Sequence, residues 1–294
     1  MRLKKIIRWF FVGLGAVLGI ALLCVMTIYI LIGTDMDQTF ESVAGSNLRI
    51  PNDAASISEG ARLARLRGCN GGCHGETIHG QIFFDAPDGT RVVAPNLSVA
   101  AQDYSTEELE RLIRHGVRRD DTSVLIPMPS QMFFNLSDGD LGMIIAFLKN
   151  HDASDEPLPK TRIGPLARLM FFYYKQELGS IMAADLIDHD AERIDPTMYD
   201  GAPSGHYLSM TVCTECHGDS LRGSPDGWSP TLAIVVSYSL EEFRKLMREG
   251  VPTGGRELDV MNKVALSRFT NFSDSEIDNL HAYLQTLAAT APEP

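Results

Sequence analysis

Apolar positions along this chain fall into two regimes. From Ile6 to Ile32 the only charge is Arg8, and Trp9–Ile32 runs 24 residues with none. A helix of that length reaches roughly 36 Å, more than a hydrocarbon core of about 30 Å, so the run predicts a membrane-spanning helix. No small-residue cleavage pattern follows Ile32, and Cys24 lies well inside the run, so the segment is expected to stay as an anchor. Past it the apolar spacing is helical: Leu109, Leu112 and Ile113 in one stretch, Ile277, Leu280, Leu284 and Leu287 in another. Four Ser-x-x-Glu sequences predict capped helix starts, at Ser56, Ser105, Ser239 and Ser273, while Gly116 and Gly250 stand where a C-cap glycine belongs. Strand alternation is scarce. The expected architecture is all-α, with an N-terminal transmembrane helix ahead of a helical body.

That body is a repeat. Residues 104–117 align without gaps on 238–251, and 135–148 on 271–284. The chain therefore divides into an anchor (1–34), a first unit (50–150), a connector (151–203) and a second unit (204–294). Within the connector, Leu166–Ile187 is apolar enough for a helix centred on Phe171-Phe172-Tyr173-Tyr174, expected to pack between the two units; a subunit-docking or membrane-facing role is the alternative.

Composition narrows the picture. With 22% charged and 44% hydrophobic residues the chain is neither disordered nor polytopic, and a net charge of −12 argues against general nucleic-acid binding. Charge is unevenly placed: residues 1–34 hold four bases and no acid, whereas 35–294 hold 22 bases against 38 acids, a net of −16. Bases before the apolar run and Asp35, Asp37 and Glu41 after it leave the N-terminus cytoplasmic and put the body on the far side of the membrane.

Four of the five cysteines form two pairs, each followed directly by histidine. Cys213-Thr214-Glu215-Cys216-His217 is C-x-x-C-H, the c-type haem attachment pattern; Cys69-Asn70-Gly71-Gly72-Cys73-His74 is one residue longer. Two thiols must add to haem vinyl groups while the next imidazole reaches iron, so all three side chains must share one turn. In the longer pair the extra residue has to bulge, which Gly71-Gly72 permits. A zinc site would want a better-placed fourth ligand, and a disulfide would not explain a histidine at the same place in both pairs. The expected cofactors are therefore two covalently bound haem c groups, with His74 and His217 as iron ligands. For the sixth position the candidates are Met261 in the second unit, Met247 lying inside a helix, and Met128 in the first, held between Pro127 and Pro129 with Met132 as its competitor. The other histidines (79, 115, 151, 189, 206 and 281) read as surface or turn residues, with His79 and His206 nearest the sites in sequence.

Each unit resembles a class I cytochrome c domain. The segment Ala94-Pro95-Asn96-Leu97…Pro127-Met128-Pro129…Leu136-Ser137-Asp138 is similar to the cytochrome subunits of membrane-bound gluconate and alcohol dehydrogenases. Those subunits carry three haem domains and this chain two. The resemblance implies that a proline carbonyl holds each haem histidine ring, at Pro95 and Pro230. It also implies electron transfer rather than catalysis: a dihaem cytochrome tethered to a bacterial inner membrane, its domains in the periplasm, relaying single electrons between respiratory or dehydrogenase partners through two His/Met-ligated haems. An integral subunit of a dehydrogenase or terminal oxidase is the alternative. A dihaem peroxidase is a further one, needing an open sixth position where both units offer a methionine.

Overall fold

The computed structural model describes residues 2–41, 43–154, 156–197, 204–224 and 227–287. The predicted apolar run forms α1 (Arg2–Met36), long and apolar enough to cross a membrane, with a mean hydropathy of 2.6. The first unit contains α2 (Ala54–Leu66), a hairpin of β1 (Gln81–Asp85) and β2 (Arg91–Ala94), α3 (Leu97–Asp103), α4 (Thr106–His115), α5 (Ser130–Phe133) and α6 (Asp138–Lys149). The connector supplies α7 (Pro165–Leu178). The second unit contains α8 (Gly205–Val212), α9 (Thr214–His217), α10 (Leu240–Glu249), α11 (Val260–Ser267) and α12 (Asp274–Thr286).

Both units cross their first and last helices at a glycine. A Cβ on Gly60 of α2 would lie 1.9 Å from the Met143 carbonyl of α6, and one on Gly205 of α8 would lie 2.0 Å from the Asn279 carbonyl of α12. The capping boxes at Ser105, Ser239 and Ser273 form as expected, and Gly116 and Gly250 close their helices at φ +66° and +70°. The start of α2 differs from expectation. Asp53 is the cap, its carboxylate taking the Ser56 amide (2.9 Å) and hydroxyl (2.7 Å), while Glu59 turns to Arg62 instead. Helix dominates the body, but the β1–β2 hairpin was not foreseen. Asp88 and Gly89 turn it, and Ile82, Phe83 and Phe84 remain exposed on it, so no buried alternation marks it in the sequence.

The connector is also reassigned. α7 ends at Gly179, well short of Ile187, and does not lie between the two units. It packs on the last turns of α1. Ile32 is fully buried with Phe171, Ile181 and Met182, and Ile28, Met36 and Leu125 close the cluster. Lys175 binds both carboxylate oxygens of Asp35 (2.8 and 2.7 Å), and Arg168 donates to the Tyr29 carbonyl at 3.0 Å with its guanidinium over the Tyr29 ring.

The two units instead meet through α2. Leu66 of the first unit is fully buried in the core of the second, among Tyr207, Val212, Phe243, Phe269 and Ile277. Around it, Arg62 binds Glu276 (2.9 Å) and the Asn271 carbonyl (2.6 Å), and Arg65 binds the Ser267 carbonyl (3.2 Å). Arg67, nearly inaccessible to solvent, binds Asp140 at 2.9 Å, and Asp140 accepts the Tyr207 hydroxyl at 2.8 Å. A charge buried this deeply is tolerated because it is paired and hydrogen-bonded.

Two predictions follow from this packing. Leu66→Ala leaves a cavity in the second unit, and denaturant unfolding should show a loss of about 2–5 kcal/mol although the residue belongs to the first. The second concerns pH. His115, 7% exposed, shares a hydrogen bond between ring nitrogens with His189 at 2.9 Å. Burial, with His189, Arg114 and Arg193 nearby, pushes it down to about 4 against the opposing charge of Glu110. The unfolded chain binds the proton first, so its contribution to stability is whole above pH 6.5 and is lost as pH falls toward 4. The stability gap between the wild type and His115→Asn should therefore narrow across that window in denaturation series at fixed pH.

Candidate functional site

The two cysteine–histidine turns start from the same constraint and solve it with different lengths. In the second, the His217 amide bonds the Cys213 carbonyl at 3.0 Å, one α-turn back. In the first, the His74 amide bonds the Cys69 carbonyl at 3.2 Å, five residues back, in a π-type turn. The additional residue is taken up at Gly71 (φ +70°) and Gly72 (φ −137°, ψ −112°), so the histidine amide reaches the carbonyl of the first cysteine in both turns. Neighbouring side chains hold the exposed carbonyls of each turn: Gln81 binds those of Gly72 (2.6 Å) and Cys73 (3.1 Å), and the Ser229 hydroxyl binds that of Cys216. Neither role was visible in the sequence, since Gln81 and Ser229 occupy different places in the repeat.

None of these four cysteines is in a disulfide. Burial raises each above its ordinary value, to about 11 at Cys69 and Cys216 and about 12 at Cys213. The imidazoles are also buried, which pushes His74 and His217 down and keeps them neutral. Each ring donates Nδ1–H to a prolyl carbonyl, His74 to Pro95 at 2.9 Å and His217 to Pro230 at 2.8 Å. A carbonyl can only accept, so the tautomer is set and Nε2 carries a lone pair free to bind a metal. This donor set fits haem c: two cysteine sulfurs on one turn, a neutral imidazole with its second nitrogen already engaged, and an apolar core against which Cys69 and Cys213 pack.

The loop after each histidine makes the prolyl contact possible. Gly75, Ile78 and Gly80 take positive φ (79°, 55° and 82°), and Gly218, Leu221 and Gly223 take the same conformations (71°, 57° and 94°). The Gly80 amide bonds the His74 carbonyl at 3.0 Å and that of Gly223 bonds His217 at 2.9 Å. The prolyl segment passes so close that a Cβ on Gly80 would lie 2.7 Å from the Pro95 carbonyl carbon, and one on Gly223 would lie 2.9 Å from that of Pro230.

The methionines also correspond. Met128 closes a turn onto the Leu125 carbonyl (2.9 Å) and Met261 onto that of Leu258 (3.0 Å), and each packs half-buried on its unit's core. Met261 lies in the first turn of α11 rather than in a loop. Met132 and Met247 are buried in the cores of their units, 1% and 4% exposed. His79 meets His151 edge-on, and the His206 ring packs at a tilt against Tyr283.

Gly223→Ala should push the Pro230 carbonyl off His217 and cost more than about 1 kcal/mol, because it adds a clash to the strain of a positive φ. Gly255, at φ +70° in open space, is the control for backbone strain alone. Denaturation midpoints, with NMR of the His217 Nδ1–H proton, check both effects.

Comparison with known proteins points the same way. Residues 203–288 match the cytochrome c family. The chain is similar to the fructose dehydrogenase cytochrome subunit of Gluconobacter japonicus, 28% identical over 286 residues (85% of this chain, 58% of that protein). It is similar to the gluconate 2-dehydrogenase cytochrome c subunit of Pantoea cypripedii, 24% identical over 282 residues (81% and 60%). A 101-residue stretch is 31% identical to the cytochrome c subunit of the quinone alcohol dehydrogenase of Gluconobacter oxydans strain 621H (32% and 21%). The chain thus spans about three fifths of the length of the first two relatives. Residues 203–288 are a cytochrome c domain, and the chain is homologous to the cytochrome subunits of fructose, gluconate and alcohol dehydrogenases.

Proposed function

We propose that this protein is a dihaem c-type cytochrome that relays single electrons as a membrane-tethered subunit of a dehydrogenase assembly. The observation that carries the reading is the duplicated site geometry: two turns of different length, each bringing its histidine amide to the carbonyl of the first cysteine and its imidazole to a prolyl carbonyl. In this reading Cys69 and Cys73 hold one haem and Cys213 and Cys216 the other. His74 and His217 are the proximal iron ligands, with Met128 and Met261 opposite them. Each haem supplies a one-electron iron couple when bound, whose potential a methionine ligand raises relative to a second histidine.

The chain's own residues do the rest. Pro95 and Pro230 orient the imidazoles, the cores exclude water, and the mutual packing of the units keeps the two sites at a fixed separation. α1 tethers the body with its bases on the cytoplasmic side, which puts the haem units in the periplasm. The acidic body favours partners with basic faces, and that attraction weakens as salt rises. The similarity to cytochrome subunits of dehydrogenases supports a dehydrogenase as the electron donor in this reading.

Intact mass and the absorption spectrum of the denatured protein test it. Two haems with thioether-type spectra are expected in the wild type, and one in Cys213→Ser/Cys216→Ser. Met128→Ala and Met261→Ala should each keep both haems while turning one from low to high spin in the absorption spectrum of the native protein. A single haem in the wild type would make the Cys69–Cys73 turn a non-working site and the protein a monohaem carrier.

A further inference from the structure

One side chain of the second unit reaches both cysteine turns. Arg268, between α11 and the short turn Phe269–Asn271, is 7% exposed. Its Nε donates to the Leu66 carbonyl at 3.1 Å, at the end of α2 and three residues before Cys69. Its Nη1 donates to Glu215 at 2.9 Å, inside the second turn and next to Cys216. The guanidinium also lies over Gly68, the residue that opens the first turn, where a Cβ would come within 3.0 Å of it. Nη2, though buried, has no hydrogen-bond partner among the described residues. The guanidinium lies within electrostatic reach of all four sulfurs. Glu215 likewise lies within electrostatic reach of Cys73 in the first turn and of Cys216 in its own.

We infer that Arg268 is a positioning residue shared by the two haem sites, a buried cation at the junction of their attachment turns that holds both reduction potentials up together. The inference rests on the dihaem reading above. Gain of one electron lowers the positive charge of a site by one, so a fixed cation nearby favours the reduced form and a fixed anion disfavours it. Both effects are larger where water is excluded, because less of the field is screened. Arg268 and Glu215 form a pair across this junction, their side chains 9% and 27% exposed. Neutralising the arginine removes a cation and also leaves the carboxylate unpaired beside Cys73 and Cys216. Neutralising the glutamate does the reverse. The two substitutions therefore act with opposite sign, at both haems.

The test is a redox titration of the full-length protein in detergent, followed by absorbance, with haem content read from intact mass. Arg268→Gln should lower both midpoint potentials, Arg268→Lys should restore them at least in part, and Glu215→Gln should raise both. A merely structural role would move the two neutralising variants in the same direction, and that result overturns the inference. So does a shift confined to one haem, or none. Should Arg268→Gln fail to mature, Glu215→Gln decides alone: a rise at both haems supports the proposal, and anything else removes it. One haem in the wild type overturns the dihaem reading itself, whereas two haems with unmoved potentials overturn only the role of Arg268.

Discussion

The imidazole held by a prolyl carbonyl is the contact on which the arrangement of both units depends. A histidine that follows a cysteine on a tight turn is free to rotate unless its second ring nitrogen is engaged, and here Pro95 and Pro230 engage it. For the carbonyl to arrive, the chain must return past the histidine at a distance that no Cβ allows, which requires Gly80 and Gly223. For the loop to return so quickly, Ile78 and Leu221 must accept left-handed backbone, a strain of the kind that persists only where surroundings enforce it. The enforcement is visible: Ile78 and Leu221 are buried in the cores of their units, and the carbonyl of each takes the amide of the residue two beyond the proline (2.8 Å at Leu97 and at Leu232). Strain, glycine and hydrogen bond form one device, used twice.

The second constraint acts between the units. A repeat could have left two independent domains on a linker, but α2 belongs to both. Its apolar face builds the first core while its last residue, Leu66, completes the second. Arg62, Arg65 and Arg67 then place three cations along the seam, each answered by a carboxylate or a carbonyl on the facing side or in its own unit. Hydrophobic closure supplies the affinity, and the polar contacts across the seam set the register, since a shift would part the buried Glu276 from Arg62 and the Tyr207 hydroxyl from Asp140. Two sites joined this way keep a constant separation, which a flexible linker would not provide.

What could be read in advance was what depends on neighbours in sequence. The repeat, three capping boxes, the C-cap glycines and the bulge at Gly71-Gly72 are local, and each reading agrees with the structure. What was missed depends on the far side of the molecule. Ser56 had the right partner in Glu59, but Asp53 reached its amide first and Arg62 claimed the glutamate. The hairpin at 81–94 carries its apolar residues exposed, so no alternation betrays it. Leu66, Arg268 and the destination of α7 are tertiary facts, fixed by which surfaces meet. The methionines fall between: their place in the repeat set Met128 and Met261 apart from the helix-bound Met247, but the depth of Met132 in the core could not be read from its neighbours.

The join between α1 and the body bears on how such a protein works. Membrane-tethered carriers that shuttle need slack between anchor and domain. Here the last turns of α1 are part of the body: Ile28, Ile32 and Met36 pack into it, Asp35 is clamped by Lys175 and Tyr29 by Arg168. The segment that follows is pinned to the first unit as well, with the Phe40 amide on the Asp121 carbonyl (2.8 Å), the Ser46 amide on the buried Glu110 and Leu48 in the core. No slack is left among these described residues, so the helix and the two units move as one piece. In the proposed reading, a body held this way would not search for partners by swinging, and partners would come to a face whose height and orientation the helix sets. That favours a subunit of a standing assembly over a tethered shuttle.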